Sequence, residues 1–313
     1  MPSRSSGSDV VGQGKAFHAP VLLAEAMELL AVRPGGLWVD GTLGLAGHAS
    51  LILKLSAPNG RLVGVDRDAE TLALARESLA DHADRVRFVH DDWRNLERHL
   101  GPERPDGVLL DLGVSSLQLD DPARGFSFQA EGPLDMRMDR TWGETAADLV
   151  NRLGEKELAD LIFAFGEDPA SRRIARSIVA ARRHSRIRTT IELSEIVRRS
   201  AGRDRKGIHP ATRTFQALRI RVNHELEGLG SSLRELAHRL SAGGRLVVIA
   251  FHSLEDREVK NAFKALAHEG FRILTKKPMV ASDAELRANP RSRSAKLRAV
   301  EREAGAERAQ EAA

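Results

Sequence analysis

The chain has 313 residues, 42% hydrophobic and 29% charged, with no cysteine. That length suits one large or two medium domains with a real core, and the missing thiols exclude a disulfide framework, a thiolate nucleophile and a Cys-based zinc site. The net charge of +4 is unevenly spread: 170–222 holds 15 Lys/Arg against 3 Asp/Glu, or +12, leaving −8 for the remainder, so one segment points to a polyanion such as nucleic acid, against the plainer reading of a solvated basic helical surface.

Residues 1–16 are Ser- and Gly-rich, lack the apolar core of a signal peptide, and read as a disordered tail. No apolar run approaches the roughly 18 residues that span a bilayer, so no membrane partner and a cytoplasmic location are expected. Pro20 opens a helix with Leu22, Ala26, Leu29 and Leu30 on one face, stopped by Pro34-Gly35-Gly36. Leu37-Trp38-Val39 is an apolar run that ends in Asp40. A loop of small residues, Gly41-Thr42-Leu43-Gly44-Leu45-Ala46-Gly47-His48, then leads into the helical pattern Ala49, Leu51, Ile52, Leu53 and Leu55. Strand, tight turn and helix in that order bring backbone N–H groups to a ligand, and Gly41, Gly44 and Gly47 leave room for it. Arg61-Leu62-Val63-Gly64-Val65 is a second strand ending in Asp66, an acid placed to accept both ribose hydroxyls of a nucleoside cofactor or, more plainly, to cap the next helix. Val86–His90 is a third strand, followed by Asp91-Asp92-Trp93; the Trp93 ring reads either as lying against an adenine face or as core. Gly107–Asp111 is a fourth, buried-type strand with another acid at its end. Arg245–Phe251 is a fifth, and Phe271–Leu274 with Lys296–Val300 suit a closing antiparallel pair.

Strands alternating with helices predict an α/β fold with a parallel sheet wound on both faces. More than 130 residues separate the fourth and fifth strands, too many for a loop, and most of them have helical patterning. They predict an all-helical insert at 124–222, dividing a sheet domain into 17–123 and 223–301, with a flexible tail at 302–313. In the insert, Asp168-Pro169 starts a helix with Arg172, Arg176 and Arg183 within about 40° of one another and Ile174, Ile178 and Ala181 roughly opposite. Thr189 and Glu192 have capping-box spacing, followed by the apolar face Leu193, Ile196 and Val197. Arg203, Arg205 and Lys206 sit in a loop before His209-Pro210, which starts a long helix with Phe215, Leu218, Val222 and Leu226 as its buried stripe.

Asp40, Asp66 and Asp111 all end strands on one edge of the sheet, where ligands bind in such folds. The stretches Asp111–Asp121 and Phe251–Arg257 carry polar and small residues to the same edge, and His252 reads there as a helix cap, a core-edge residue or a catalytic group. No His pair has HxxxH or HExxH spacing, so no metal site is expected, and neither a GxSxG elbow nor a P-loop lysine occurs. A nicotinamide-dependent oxidoreductase would need a Gly-x-Gly-x-x-Gly fingerprint that is missing here, and that reading leaves the basic insert unexplained. A non-catalytic RNA-binding or assembly protein is the other competing reading. A complete cofactor loop counts against it.

Several long blocks occur in order: Asp40–His48, Asp111–Asp121 with Arg124-Gly-Phe-Ser-Phe128, Pro133-Leu-Asp-Met-Arg-Met-Asp139, His209–Ile220 with Val222–Leu226, and Ile249–Asp256. From about His18 to Val300 they resemble the bacterial 16S rRNA (cytosine-N4)-methyltransferase family, RsmH/MraW. The resemblance implies a class I (Rossmann-like) S-adenosylmethionine-dependent methyltransferase sheet with a helical insert. It also implies methyl transfer to the N4 amine of a cytidine in the decoding region of 16S rRNA, within the small ribosomal subunit. It puts Ala46, Gly47 and His48 in the cofactor loop, Asp66 on the ribose, Trp93 beside the adenine, and Asp111 and Gln118 in the rest of the cofactor set. Two positions depart from the family: Ala46 stands where Gly is usual, and Trp93 where Phe is common. The amino-methyltransferase Asn/Asp-Pro-Pro-aromatic motif is replaced by Asp111-Leu-Gly-Val, which leaves Asp111, backbone carbonyls and the Ser115/His252 region as candidate acceptors of the amine hydrogens. Arg172, Arg176, Arg183 and Arg213 are the candidate RNA contacts. Few aromatics are expected around the transfer site, which favours a folded RNA over a short oligonucleotide.

Overall fold

The computed structural model describes residues 20–201 and 209–304. The tail expected at 1–16, all but the start of that at 302–313, and the loop cations Arg203, Arg205 and Lys206 lie outside them. Seven strands, β1 (Leu37–Asp40), β2 (Arg61–Asp66), β3 (Val86–His90), β4 (Gly107–Asp111), β5 (Arg245–Ala250), β6 (Phe271–Ile273) and β7 (Lys296–Arg302), form one sheet in the order β3-β2-β1-β4-β5-β7-β6. The first five are parallel, and β7 runs antiparallel between β5 and β6. This is the expected class I methyltransferase sheet with its closing pair. Strand order reverses at β1, so a crevice opens at the carboxyl ends of β1 and β4.

The helices α1 (Leu23–Leu30), α2 (Gly47–Leu55), α3 (Ala69–Ser78), α4 (Leu96–Leu100) and α5 (Ser116–Asp120) accompany the first four strands. The insert holds α6 (Ala146–Arg152), α7 (Glu155–Gly166), α8 (Ser171–Arg182), α9 (Thr190–Ala201) and α10 (Ala211–Val222), and the chain then runs through α11 (Leu229–His238), α12 (Ser253–Leu266) and α13 (Asp283–Ala288). Helix α1 starts after Pro20 rather than at it, because Leu22 takes a left-handed φ of 51° that no helical residue can adopt. The capping box of Thr189 and Glu192 forms in both directions, at 3.0 and 3.2 Å. Strand β7 runs past Val300 to Arg302, whose buried guanidinium donates to the carbonyls of His238 and Leu240; those bonds anchor the strand end where a frayed tail was expected.

Alternate residues of each central strand feed opposite layers. Val39, Val63, Val108, Leu110 and Val248 pack against Leu233, Val259 and Phe263 of α11 and α12. Trp38, Leu62, Leu109 and Val247 pack against Leu30, Ile52 and Leu72 on the other face. Burying each such side chain stabilises by roughly 1.5–3 kcal/mol. The insert has its own core, built on Leu149, Leu158, Ile162, Ile174, Ile178, Leu193 and Leu218. Its roots are pinned by polar contacts: fully buried Arg124 meets Asp68 at 2.7 Å, and Arg67 donates to the Asn223 carbonyl at 2.9 Å. Among the described residues no helix is long and apolar enough to cross a membrane.

Candidate active site

A cavity of about 570 Å³ lies over the carboxyl edge of β1, β2 and β4, walled on its far side by α10 and the segment 126–129. This size falls in the range of small-molecule sites, roughly 300–1,000 Å³. The loop after β1 forms its floor. Gly44 supplies a left-handed φ of 53° and donates its N–H to Asp66 Oδ2 at 2.8 Å. Gly41 and Gly47 serve packing inside the protein, since a Cβ there would meet Leu110 and Pro20 side-chain carbons at 2.4 and 2.3 Å. Ala46 caps α2 with a φ of 66°, the conformation for which glycine is the easier residue; its buried methyl does not line the cavity.

The strand-end acids converge as the sequence predicts. Asp66 takes a second backbone N–H, from Asp68, on Oδ1 at 2.9 Å. Burial still pushes its carboxyl up to about 6, against the pull of the Asp68 and Gly44 amides. Asp40 is pushed up to about 7, chiefly by burial, with Asp66 adding to it. Asp111 stands well above the usual carboxylate range because of burial and then the charges of Asp40 and Glu255. Its Oδ1 is buried without a hydrogen-bond partner. Its Oδ2 lies 3.8 Å from His48 Nδ1. His48 donates from Nε2 to the Val21 carbonyl (3.0 Å), and burial lowers its pKa to about 4, so the ring is neutral and gives Asp111 no counter-charge.

Trp93 belongs to the core and also borders the cavity. It is 5% exposed and packs in the sheet core, yet one edge lines the cavity, with the Arg94 guanidinium 5.1 Å from its ring. Gln118 also lines the cavity, but its side chain is largely committed: Oε1 accepts the Ser115 N–H in a capping box and Nε2 donates to Asp68 at 2.8 Å. His252 caps α12, accepting the Glu255 N–H on Nδ1 at 3.3 Å. Its Nε2 faces Glu255 Oε1 at 3.2 Å and Glu225 Oε2 at 3.7 Å, aligned for a hydrogen bond with neither. Burial lowers its pKa, but the two carboxylates outweigh that and lift it to about 9. The cap opposes them, because it needs the Nδ1 lone pair.

The Glu225–His252–Glu255 group was not legible in the sequence. Its ligand-type atoms lie within 4.8 Å of one another, whereas the chain separates them by α11 and β5. Arg219 grips both Glu225 oxygens at 2.9 and 2.8 Å, so that carboxylate already has its cation within the protein. The expectation of few aromatics is corrected. Phe126, Phe128, Phe215 and Phe251 line the cavity beside Trp93, and Phe128 packs edge-on to Phe215 at 4.8 Å. Segments far apart in the chain bring them there. Arg172, Arg176 and Arg183 are exposed along α8 and its C-cap, with Arg176 near Glu155 at 3.4 Å, and Arg213 donates to the Glu167 carbonyl at 2.7 Å.

Residues 15–303 match the model of the MraW methylase family. The chain belongs to that family. It is 51% identical over 294 residues to the ribosomal RNA small subunit methyltransferase H of Sorangium cellulosum, covering 93% of this chain and 92% of that protein. It is 49% identical over 306 residues to the protein of the same name from Citrifermentans bemidjiense, covering 91% and 98%. The cavity suits S-adenosylmethionine on its own evidence. Asp66 keeps lone pairs beyond its two amide bonds, Asp111 offers an unpartnered oxygen, and among the described residues neither Asp40 nor Asp66 has a salt bridge. Acids without cations are what a sulfonium-bearing ligand needs.

Proposed function

We propose that this chain transfers a methyl group from S-adenosylmethionine to the N4 amine of a cytidine in 16S rRNA of the small ribosomal subunit, in the cytoplasm. When bound, the cofactor supplies a methyl group activated by its sulfonium. Asp66 accepts the two ribose hydroxyls, the Ala46-Gly47-His48 turn approaches the cofactor, and Trp93 borders its adenine. Gln118 acts on this site by holding the α5 turn against Asp68.

The observation that carries the reading is the orphan Oδ1 of Asp111 at the end of β4. A cytosine N4 amine is a poor nucleophile because its lone pair is delocalised into the ring. An acceptor that holds an amine hydrogen favours a pyramidal nitrogen and stabilises the positive charge that develops on it. As the N–C bond forms and the C–S bond breaks, the nitrogen must lose one proton, and the Asp111 carboxylate receives it. His252 has no lone pair free toward the cavity in this arrangement, so in this reading it orients the β5–α12 turn. The insert at 124–222 is a separate RNA-facing domain, with Arg172, Arg176, Arg183 and Arg213 meeting phosphates, and the phenylalanines give the extruded base an apolar berth.

The test incubates the purified protein with labelled S-adenosylmethionine and small subunits from a strain lacking this activity, followed by digestion and mass spectrometry of the labelled nucleoside. N4-methylcytidine in 16S rRNA is expected. Label in 5-methylcytidine, in a 2′-O-methyl nucleoside or in DNA alone would overturn the acceptor assignment.

A further inference from the structure

A second cavity, of about 410 Å³, adjoins the first, and Arg67, Asp91 and Arg94 line both. Trp142 stands in its wall at 65% exposure, the most exposed large hydrophobic side chain among the described residues, whereas Trp38 and Trp93 are buried. Its ring is within 11° of parallel to that of His224, with centroids 6.2 Å apart. The segments that carry the two rings are held from behind. Arg137 clamps Asp135 through Nε and Nη2 and donates from Nη1 to the carbonyls of Trp142 and Gly143 at 3.4 and 3.5 Å. His224 Nδ1 lies 2.9 Å from Glu227 Oε1, and the residue sits in the left-handed region at φ 52°. Next to it, buried Asn223 is fixed by Met136, Met138 and Arg219. Of the acids that line this cavity, Asp92 is paired with Arg67 and Arg94, Asp91 is hydrogen-bonded to His99, Asp139 accepts from Thr141, and Glu227 lies against Arg221 and His224.

We infer that Trp142 and His224 form a stacking site for one unpaired nucleobase of the RNA substrate, outside the methyl-transfer cavity. The inference rests on the rRNA reading above. An exposed indole serves any base, because every base has a π-face, and single-stranded RNA is commonly held this way. A base between two rings needs about 3.5 Å on each face, slightly more than the present spacing; Trp142, open to solvent, can turn outward to provide it. Otherwise the base covers the outer indole face. The shared wall argues for nucleic acid over a protein partner: a strand whose target base enters the first cavity runs directly past the second.

Small subunits and labelled full-length protein supply the test, read as affinity across a salt series. Trp142→Ala should weaken binding about 5- to 150-fold at every salt concentration, the worth of one stacked base, while leaving the log–log salt slope unchanged. Trp142→Phe should recover most of it, and affinity for S-adenosylhomocysteine should not move. Reversing Arg172, Arg176 and Arg183 to Glu should instead lower the slope, by roughly 0.7–0.9 for each phosphate that is no longer neutralised. Ultraviolet cross-linking should join Trp142 to a nucleotide. Wild-type affinity in Trp142→Ala, or a cross-link to a ribosomal protein, overturns the stacking site and leaves the methyltransferase reading intact. If the unsubstituted protein fails to bind subunits, both fall.

Discussion

Buried carboxylates on two sides of one cavity have pKa values displaced in opposite directions. At the sheet edge, Asp40, Asp66 and Asp111 are held above the usual carboxylate range, first by burial and then by a neighbouring acid: Asp66 for Asp40, Asp68 for Asp66, and Asp40 with Glu255 for Asp111. At the root of the insert, Glu225 is buried as well. Burial there would raise it too, but Arg219 outweighs that, with help from His252, and takes it down to about 2. The difference lies in the partners. Glu225 has its cation built in and behaves as scaffold, lying between Arg219 of α10 and His252 at the β5–α12 turn. The sheet-edge acids have no such partner; under the proposed function, a sulfonium and a developing ammonium would supply the positive charge.

The largest effect should come from removing the acceptor on the sheet side. Asp111→Asn keeps the size of the side chain and loses the charge, and single-turnover methyl transfer should fall by about 10²–10⁴-fold, the usual worth of a positioned proton acceptor. Because the ionised form accepts the proton and its pKa is raised, the wild-type rate should climb with pH above the ordinary carboxylate range, and the variant should lose that climb. An Asn variant with the wild-type rate would move Asp111 out of the transfer step.

The next largest should come from breaking a pair on the insert side. Arg219→Met strands a buried carboxylate, which typically costs about 3–5 kcal/mol, measurable by denaturant titration. The double variant Arg219→Met with Glu225→Met should recover most of that loss, because no charge is left buried without a partner. Since Glu225 is depressed in the folded protein, its stabilising contribution is full above the ordinary glutamate pKa and disappears as pH falls toward 2. A single variant as stable as wild type would show that the pair is not structural.

These differences track what was legible in the sequence. Strand-end acids can be read from apolar runs that stop at a carboxylate, because a parallel sheet puts every such end on one edge. The basic face of α8 was equally legible from its helical spacing. The Arg219–Glu225–His252–Glu255 cluster was not, because its members meet only after α11 and β5 fold between them. Gln118 was assigned toward a cofactor; its capping box with Ser115 has a spacing the sequence displays, whereas its bond to Asp68, 50 residues away, belongs to tertiary structure. The glycines at 41 and 47 line the cavity and also make room for protein atoms, a packing role that the sequence did not reveal. The phenylalanine wall went unseen because its members are dispersed in sequence.

The smallest of the three effects should come from Asp66, which shares character with both regions: it lacks a cation, yet two backbone N–H groups already steady its carboxylate. Asp66→Asn should weaken S-adenosylhomocysteine binding by about 10- to 150-fold, the worth of one charge-assisted hydrogen bond of roughly 1.5–3 kcal/mol. The free protein holds this carboxyl at about 6. A raised folded pKa contributes stability that is fully present below the unfolded value and is lost as pH rises through about 6, the reverse of Glu225. Ribose hydroxyls donating to the carboxylate would offset that loss. The increase in melting temperature on adding S-adenosylhomocysteine should therefore be larger at pH 8 than at pH 5 in the wild type, and similar at both in Asp66→Asn. Equal thermal shifts at the two pH values in the wild type would mean that Asp66 meets the cofactor without its charge mattering, and would return it to the plainer role of ordering the turn after β2.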